Sequence, residues 1–475
     1  MCLIYYTAKL YGKIKADFFA KGSVFIKKIH YLISALALIA VLILGISLFF
    51  CSRDTKLELV NKNGNTIYRI VRAEDVNFDA GVDIKEFKRS LDNLLGASFT
   101  LTTDTLEKGE TQESVKDVCE ILIGATNRPE SIEARRALTE NDYLIRVVGK
   151  KIIITGSSDL TTKKAMDAFL ELVSGKNGSA LMSNTNILTR IERGAYIIGF
   201  ANTKKGCVEV YDVSSGKINN DSLVWSFKMT NVSGLKLRHS DKYGDVMLAT
   251  GGNEYGCMVT YPEGKVVWST NATATNPHSI ELLPNGIIAI ASTEGNAIRF
   301  FKTDKKSSEI SDAEVTLPDA HGVLWDEEKD ALWAVGLDVL TAYRVTLNED
   351  GTITVTEDTN LRATIPSTGA HDLAPVYGTD NELWISTFEC IYRFNTDTMT
   401  FSASYEGSDA IKAKHVKGVG NFDDGTVVYI YPDEKYYSWT SQSIYLLKAN
   451  ATEVDTITSD NGHFYKIRVW DNRYR

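Results

Sequence analysis

The sequence has few of the residues that define several common protein classes. It contains six cysteines and eight prolines in 475 residues, and no Cys-x-x-Cys pair. A disulfide framework or a zinc knuckle is therefore not indicated, and we expect the cysteines to be small buried core residues. No P-loop, Gly-x-Ser-x-Gly or His-Glu-x-x-His motif occurs, so nucleotide binding, serine-esterase chemistry and zincin chemistry lose support.

Basic residues are also fewer than acidic residues, 52 against 61. The net charge is −9, which argues against a nucleic-acid partner because such proteins carry a basic stripe. Hydrophobic residues make up 44% and charged residues 24% of the chain, a composition typical of a globular protein with a substantial core. The length exceeds that of one ordinary domain, so at least two are expected.

One segment departs from this soluble pattern. Residues 32–51 carry no charge over a length that spans a bilayer, and we predict a transmembrane helix or signal anchor there. The positive-inside rule places segment 1–31 in the cytoplasm and the rest of the chain outside, at a bacterial cell surface. The lysines on which this orientation rests are Lys21, Lys27 and Lys28. A cleaved signal peptide and a lipid anchor on Cys51 stay open as alternatives.

Residues 55–182 mix helical and strand patterns and predict a small α/β domain. The stretches around "NKNG" predict a hairpin, and "CEILIGAT" with "DYLIRVVGKKIIITG" predict three strands. Two amphipathic helices are expected in "DIKEFKRSLDNLLGA" and "DLTTKKAMDAFLELVSGK". The runs "EILIGATNRPES" and "DYLIRVVGKKIIITGSSDLTTKKAMDAFLEL" resemble the accessory domain that precedes the barrel in α-glucuronidases and chitobiase-type hexosaminidases. The resemblance implies a carbohydrate setting and no reaction.

From residue 191 to 475 the chain consists of short strands and polar turns, and it repeats. Successive copies begin 43 to 50 residues apart, at Ser233, His278, His321, His371, His415 and His463. A four-stranded propeller blade needs about 40 to 50 residues. The last copy has one strand and the region before the first copy has three, which together complete one blade. The sequence therefore predicts a mainly β fold, a six-bladed β-propeller with 1+3 strand closure, which removes a free edge strand.

The repeated histidines are expected to enter the innermost strands and to ring one mouth of the central channel. A structural interpretation is that each imidazole hydrogen-bonds the neighbouring blade. A functional interpretation is a site for a glycan or another anionic ligand, or for a divalent metal such as Zn or Mn. The five candidates for binding a ligand or a metal are His278, His321, His371, His415 and His463.

Loops on the same face offer further candidates. Four acids could support the histidines from behind, namely Glu254, Glu294, Asp338 and Glu389. Asp319 and Asp372 flank two of the histidines. The longest loop carries three aromatic residues that could stack on sugar rings, namely Tyr436, Tyr437 and Trp439.

A propeller with several histidines at one mouth resembles the metal-dependent polysaccharide lyases, such as oligogalacturonate lyase, and is similar to the virginiamycin B lyase group. In the first family a metal held by three histidines and a glutamine neutralises a uronate carboxylate while a base removes the adjacent proton. Those lyases have seven blades, so the chain is identified as closer to an uncharacterised family of bacterial surface propellers. Their glutamine and base cannot be matched to residues of this chain.

Three functions follow as hypotheses. The first is a membrane-anchored extracellular protein whose propeller binds a glycan or cell-wall carbohydrate. The second is a metal-dependent polysaccharide lyase or hydrolase, and the third is a scaffold for protein partners. No catalytic residue can be assigned from the sequence.

Overall fold

The computed structural model describes most of the chain after the predicted membrane segment. The described ranges are 56–74, 78–138, 142–174, 180–189, 194–252, 254–411, 414–433, 435 and 437–474. The predicted segments 1–31 and 32–51 lie outside them. Within these ranges no helix is long and apolar enough to cross a membrane.

Residues 56–189 form an α/β unit in which three helices pack on a six-stranded sheet. Its elements in chain order are β1 (Lys56–Glu58), β2 (Arg69–Arg72), α1 (Phe78–Leu95), β3 (Thr100–Thr103), β4 (Glu120–Ile123), α2 (Pro129–Arg135), β5 (Tyr143–Val148), β6 (Lys151–Gly156), α3 (Asp159–Ser174), β7 (Ala180–Met182) and β8 (Asn186–Thr189).

The sheet has the order β3-β2-β4-β6-β5-β8. The first four strands are parallel, and β5 and β8 run antiparallel to their neighbours. Every residue of β4 and β6 is buried because helices cover both faces of the sheet. Phe87 of α1 and Phe169 of α3 pack on one face, and Ala134 of α2 packs on the other.

The hairpin predicted around "NKNG" is wrong. Strand β1 pairs with β7, and β2 lies between β3 and β4 as a parallel strand. Ile70 and Val71 are adjacent in β2 and both fully buried, so this strand needs cover on both faces, which an isolated hairpin does not supply. The unit also extends to Thr189 instead of ending at 182, because β8 pairs with β5.

The propeller begins after this unit. Blade 1 takes β9 (Ile197–Asn202), β10 (Cys207–Asp212) and β11 (Leu223–Lys228). Blade 2 contains β12 (Val232–Ser240), β13 (Gly244–Gly251), β14 (Tyr255–Thr260) and β15 (Val266–Thr270). Blade 3 contains β16 (Pro277–Leu282), β17 (Ile287–Ser292) and β18 (Ala297–Lys302); β19 (Ser307–Ser308) then pairs with β15, and β20 (Ala313–Thr316) completes blade 3.

The later blades repeat the pattern. Blade 4 contains β21 (Ala320–Asp326), β22 (Ala331–Gly336), β23 (Val339–Leu347) and β24 (Ile353–Glu357), followed by a 3-10 turn (Thr359–Leu361) and by β25 (Ala363–Thr364), which pairs with β23. Blade 5 contains β26 (Asp372–Pro375), β27 (Glu382–Ser386), β28 (Ile391–Asn395) and β29 (Thr400–Ser402). Blade 6 contains β30 (Gly418–Asn421), β31 (Val427–Ile430), β32 (Ser443–Leu447) and β33 (Asp455–Thr458).

The ring closes as the sequence predicted. The last strand, β34 (Phe464–Val469), pairs antiparallel with β9 and becomes the innermost strand of blade 1. Six apolar clusters fill the six interfaces between adjacent blades, and the cluster between blades 6 and 1 joins Phe422 and Val428 to Phe200 and Ile467. The six-bladed propeller is therefore confirmed, and it is held by continuous burial of apolar surface between blades.

Candidate functional site

The six innermost strands share one register, which identifies equivalent positions in all blades. Each strand has a buried aliphatic residue paired with the second strand of its blade; these residues are Leu235, Ile280, Val323, Leu373, Val419 and Ile467. Two positions earlier, at or next to the start of the regular ladder, stand Ser233, His278, His321, His371, Lys417 and Tyr465. We call these six residues the mouth ring.

This register corrects the predicted ring of five histidines. His415 and His463 lie two residues before the ring positions, which are occupied by Lys417 and Tyr465. The position of His415 is a turn with positive φ in five of the blades, at Asn231, Asn276, Asp319, Gly369 and His415. The prediction aligned two blades on His415 and His463, which stand in or next to this turn. It therefore placed those two blades two residues out of register.

Three imidazoles of the mouth ring lie side by side. The ring centroids of His278 and His321 are 4.6 Å apart, and those of His321 and His371 are 5.0 Å apart. Tyr465 reaches past the small Ser233 to His278, with 5.5 Å between ring centroids. Each of the three histidines is more than 90% buried, so the ring is packed closely and only its outer edge meets solvent.

A directed chain of hydrogen bonds fixes the tautomers of two of these histidines. His321 Nδ1 lies 3.3 Å from both the carbonyl and the carboxylate oxygen of Asp319, which can only accept, so this nitrogen carries the hydrogen. His321 Nε2 then accepts from His371 Nδ1 at 3.4 Å. His371 Nε2 in turn accepts from Lys417 Nζ at 3.0 Å.

Burial keeps these imidazoles neutral. It lowers the pKa of His278, His321 and His371, and the nearby ammonium groups of Lys417 and Lys466 lower the pKa of each further. The histidines therefore orient neighbouring groups at neutral pH and add no positive charge of their own.

Lys417 is the half-buried end of this hydrogen-bonded chain. Its ammonium group makes no ion pair with a described residue, and its one described hydrogen bond goes to His371. Burial and then repulsion by Lys466 lower the pKa of Lys417 to about 8, so the group is mostly charged at neutral pH. The mouth thus presents a cation with unused N–H donors.

Beneath the mouth ring, Asp372 holds two cations that come from blade 1. Arg468 Nη1 donates to Asp372 Oδ2 at 2.7 Å, and Lys466 Nζ lies 3.4 Å from Asp372 Oδ1. Burial alone would raise the pKa of Asp372, but these two cations hold it below its usual value. Burial lowers the pKa of Lys466 to about 8 in spite of the acid.

A second carboxylate repeats this arrangement between blades 2 and 3. Glu281 Oε1 accepts from Arg238 Nε at 2.7 Å and Glu281 Oε2 accepts from Lys236 Nζ at 2.8 Å. Lys236 also donates to the carbonyl of Val323 in blade 4. These buried contacts cross blade boundaries and connect three blades through polar groups as well as through the apolar clusters.

The opposite end of the channel is closed by the C-terminal tail. The carbonyl of Arg473 accepts from Arg238 at 3.1 Å and from the Tyr377 hydroxyl at 3.4 Å. The Tyr474 hydroxyl donates to the carbonyl of Leu282 at 2.6 Å. A cavity of about 20 Å³, with room for about one water, remains above the tail. The end of the channel opposite the mouth ring is therefore sealed.

The remaining predicted ligands have other surroundings. His415 is exposed and contacts Phe388, which also contacts His371; the centroid distances are 5.1 and 4.7 Å. His463 lies near the charges of Asp433, Lys204 and Lys435, and burial lowers its pKa.

The aromatic loop presents a flat surface to solvent. Tyr437 and Trp439 are both exposed and stack on each other, with ring centroids 4.8 Å apart and planes 3° apart. Tyr436 lies outside the described residues. Asp433 and Lys435 of the same loop are close enough to influence the pKa of His463, so the loop stands on the mouth side of the ring.

The four predicted supporting acids contact loop residues instead of the imidazoles. Their contacts are Glu254 with Thr275 at 3.4 Å, Glu294 with Asn276 at 3.2 Å, Glu389 with Lys414 at 2.9 Å, and the Asp338 carbonyl with the amide of Ile365 at 2.8 Å. The acid that does contact an imidazole of the mouth ring is Asp319.

The arrangement does not fit the predicted metal site. Both ring nitrogens of His321 and both of His371 are engaged by the hydrogen-bonded chain, so three imidazoles cannot offer free nitrogens to one ion. Among the residues that the structure describes, no group of three or more His, Cys, Asp and Glu side chains has a geometry that could hold a metal. We derive no chemical step through a metal.

Sequence reasoning missed Lys417, Tyr465 and the buried ion pairs. A signal for the first two was present: each ring position stands two residues before an aliphatic residue, as in "KGV" after Val416 and "YKI" after Phe464. The ion pairs had no such signal, because Asp372 and its partner Arg468 come from strands at distant points of the sequence.

The fold and the channel define the molecule as a β-propeller with a polar channel mouth. Residues 156–452 match a family described as a family of unknown function, DUF6528. This match spans more than half of the chain, so the protein belongs to that family. No curated protein matches the sequence.

Three solved structures, two of them β-propeller domains, match this chain at low identity. The WD40 propeller domain of Doa1 shares 10% identity over 58% of this chain and 83% of its own, with a TM-score of 0.37. A protein of unknown function from Bacteroides caccae shares 10% identity over 58% of this chain and 98% of its own, with a TM-score of 0.38. The Cps50 (Swd1) propeller of Myceliophteria thermophila shares 12% identity over 57% of this chain and 89% of its own, with a TM-score of 0.36.

Proposed function

We propose that the channel mouth binds a small anionic ligand, with Lys417 as the group that contacts the anion. One observation carries the proposal: the ammonium of Lys417 is half-buried in the mouth ring and makes no ion pair with a described residue, Asp319 attracting it only from a distance. A desolvated cation is costly unless a counter-ion neutralises it, so an anion that fits the mouth gains most of that energy on binding.

The charges beneath the mouth support the same ligand. Five basic groups line the channel and two buried carboxylates neutralise four of them; the basic groups are Lys236, Arg238, Lys417, Lys466 and Arg468. Even with Asp319 at the rim included, cations outnumber acids, although the whole chain has a net charge of −9. A focused positive potential inside an acidic protein favours a specific anion over general polyanion binding.

The imidazoles then serve as positioning groups. Because the chain from Asp319 through His321 to His371 ends on Lys417, it holds the ammonium at one place in the mouth. Their N–H groups are already used, so they do not donate to the anion as the sequence had suggested. Preorganisation of this kind lowers the entropy cost of binding.

We further propose that the anion belongs to a carbohydrate. The stacked pair of Tyr437 and Trp439 offers an exposed aromatic face on the mouth side, which suits a sugar ring. The resemblance of residues 55–182 to glycosidase accessory domains points to the same setting.

The test is isothermal titration calorimetry, in which phosphate, sulfate, citrate and galacturonate are each titrated into the full-length chain to measure affinity. We expect at least one to bind, and Lys417→Met to weaken it about tenfold or more, since a hydrogen bond to a charged group contributes about 1.5–3 kcal/mol. Lys414→Met is the matched control, because Lys414 lies on the same blade but is exposed and paired with Glu389. Absence of binding by every anion, or equal losses in both variants, contradicts the proposal.

A further inference from the structure

The tautomer of His278 adds a second requirement to the mouth, separate from its charge. His278 Nδ1 lies 2.9 Å from the carbonyl oxygen of Asn276, which can only accept, so Nδ1 carries the hydrogen. The ring is neutral, because burial and its charged neighbours lower its pKa well below the usual value. Its Nε2 is therefore a lone-pair acceptor.

No described residue donates to this Nε2. The neighbours of the imidazole are the rings of His321 and Tyr465, at centroid distances of 4.6 and 5.5 Å, and the one described hydrogen bond of the side chain is made by Nδ1. His278 is 8% exposed, and its Nε2 is not among the fully buried atoms that lack a partner, so this acceptor reaches solvent. A ligand hydroxyl that donates to Nε2 replaces water at an acceptor whose orientation is already fixed, which lowers the entropy cost of binding.

The donor that fits is a neutral hydroxyl group. An ammonium donor is disfavoured because Lys417 and Lys466 already repel positive charge at His278 and lower its pKa. In the ring of six blades, His278 in blade 3 and Lys417 in blade 6 stand opposite each other. A ligand that reaches both carries its hydroxyl and its negative charge on different atoms of a scaffold that spans the mouth.

We infer that the mouth selects a hydroxylated anion, in which a hydroxyl group donates to His278 Nε2 while the anionic group accepts from Lys417. This inference rests on the proposed function and names the ligand class for the same site. The two residues then have separate tasks. Lys417 selects a negatively charged ligand, and His278 distinguishes a hydroxylated acid from a plain acid of the same size and charge.

The test compares acids that differ only in hydroxyl groups. Galacturonate against cyclohexanecarboxylate, and gluconate against hexanoate, are titrated into the full-length chain. We expect about tenfold tighter binding of the hydroxylated member of each pair, the size of one net hydrogen bond to a preorganised acceptor. In His278→Phe this preference is expected to fall to about one while binding of the plain acids is unchanged.

His415→Phe is the matched control, since it makes the same substitution at an exposed histidine outside the mouth ring and should keep the preference. Equal binding of both members of each pair by the native protein overturns the inference and leaves anion binding intact. Binding of none of these four acids, nor of phosphate, sulfate or citrate, overturns the proposed function itself. A preference that persists in His278→Phe assigns the hydroxyl to another group and also overturns the inference.

A second readout needs no substitution and covers the case in which His278→Phe does not fold. Imidazole nitrogens of the native protein are observed by ¹⁵N NMR during titration. The unprotonated Nε2 resonance of His278 is expected to move with galacturonate and to stay in place with cyclohexanecarboxylate. Equal movement with both acids contradicts a hydrogen bond from the hydroxyl group.

Discussion

The two ends of one channel treat their charges in opposite ways. Toward the closed end, Glu281 and Asp372 each neutralise two buried cations, and the C-terminal tail seals the exit. At the mouth, Lys417 contacts a neutral imidazole and makes no ion pair with a described residue, and Asp319 attracts it only from a distance. Among the innermost strands, buried ion pairs connect neighbouring blades, whereas Lys417, which has no ion pair, is the proposed anion-binding group.

This difference predicts that substitutions at the two ends of the channel affect different measured quantities. Substitutions toward the closed end should lower the free energy of unfolding, because they leave buried charges or donors unmatched. Substitutions at the mouth should lower ligand affinity and leave unfolding nearly unchanged.

The largest effect is expected from Asp372→Asn. This change leaves Arg468 and Lys466 buried without a counter-charge, and breaking a buried pair in this way costs about 3–5 kcal/mol of unfolding free energy. Urea denaturation followed by tryptophan fluorescence measures it. Asp423→Asn is the control, since its ion pair with Arg473 is largely exposed and should cost under about 1 kcal/mol. Equal costs at the two positions would contradict the distinction.

A smaller effect concerns the pH dependence of stability at Lys236. Burial outweighs the attraction of Glu281 and lowers the pKa of Lys236 to about 7 from 10.5 in the unfolded chain. Between these two values the unfolded chain binds more protons, so raising the pH shifts the equilibrium toward the folded state, by at most about 1.4 kcal/mol per pH unit.

The measurement is the difference in unfolding free energy between the native protein and Lys236→Met across that pH range. Other lysines, tyrosines and cysteines titrate in both proteins, so the difference isolates Lys236. The native protein is expected to gain stability relative to the variant as the pH rises. A difference that is flat or falls with pH contradicts the lowered pKa.

The smallest effect is expected from Tyr474→Phe at the sealed end. The variant keeps the ring under the guanidinium of Arg238, 4.9 Å from its centroid, but loses the hydrogen bond to the Leu282 carbonyl. We expect a loss of about 1 kcal/mol in unfolding free energy, the usual net value of one such bond. Anion affinity at the mouth should not change, and a parallel loss of affinity would mean that the two ends are coupled.

Much of the fold could be predicted from sequence because blade structure is local. Each blade repeats an apolar second strand such as "IIAIAS" or "ALWAVG" at nearly constant spacing, and strand pairing within a blade involves residues close in the chain. The closure was also predictable, because one strand was left over at the C-terminus and one was missing at the start.

The site was only partly predictable. His278, His321 and His371 were identified and do lie together, but His415 and His463 were placed two residues out of register. Histidine was the more conspicuous residue, whereas the buried aliphatic position that sets the register is occupied by three different residue types. The prediction for strand β2 was wrong for a related reason. The short sequence "RIVR" is compatible with a hairpin strand and with a strand of a parallel sheet.

The sequence by itself determined the number of blades, the order of the two folded units and the strand that closes the ring, because repeat length and hydrophobic pattern are properties of neighbouring residues. Only the tertiary structure decided which side chains share the channel. Asp372 meets Arg468, and Lys417 meets His371, because closure brings distant strands around one axis. The charge balance at that axis, and with it the difference between a sealed base and an open mouth, depends on contacts between blades that no local pattern encodes.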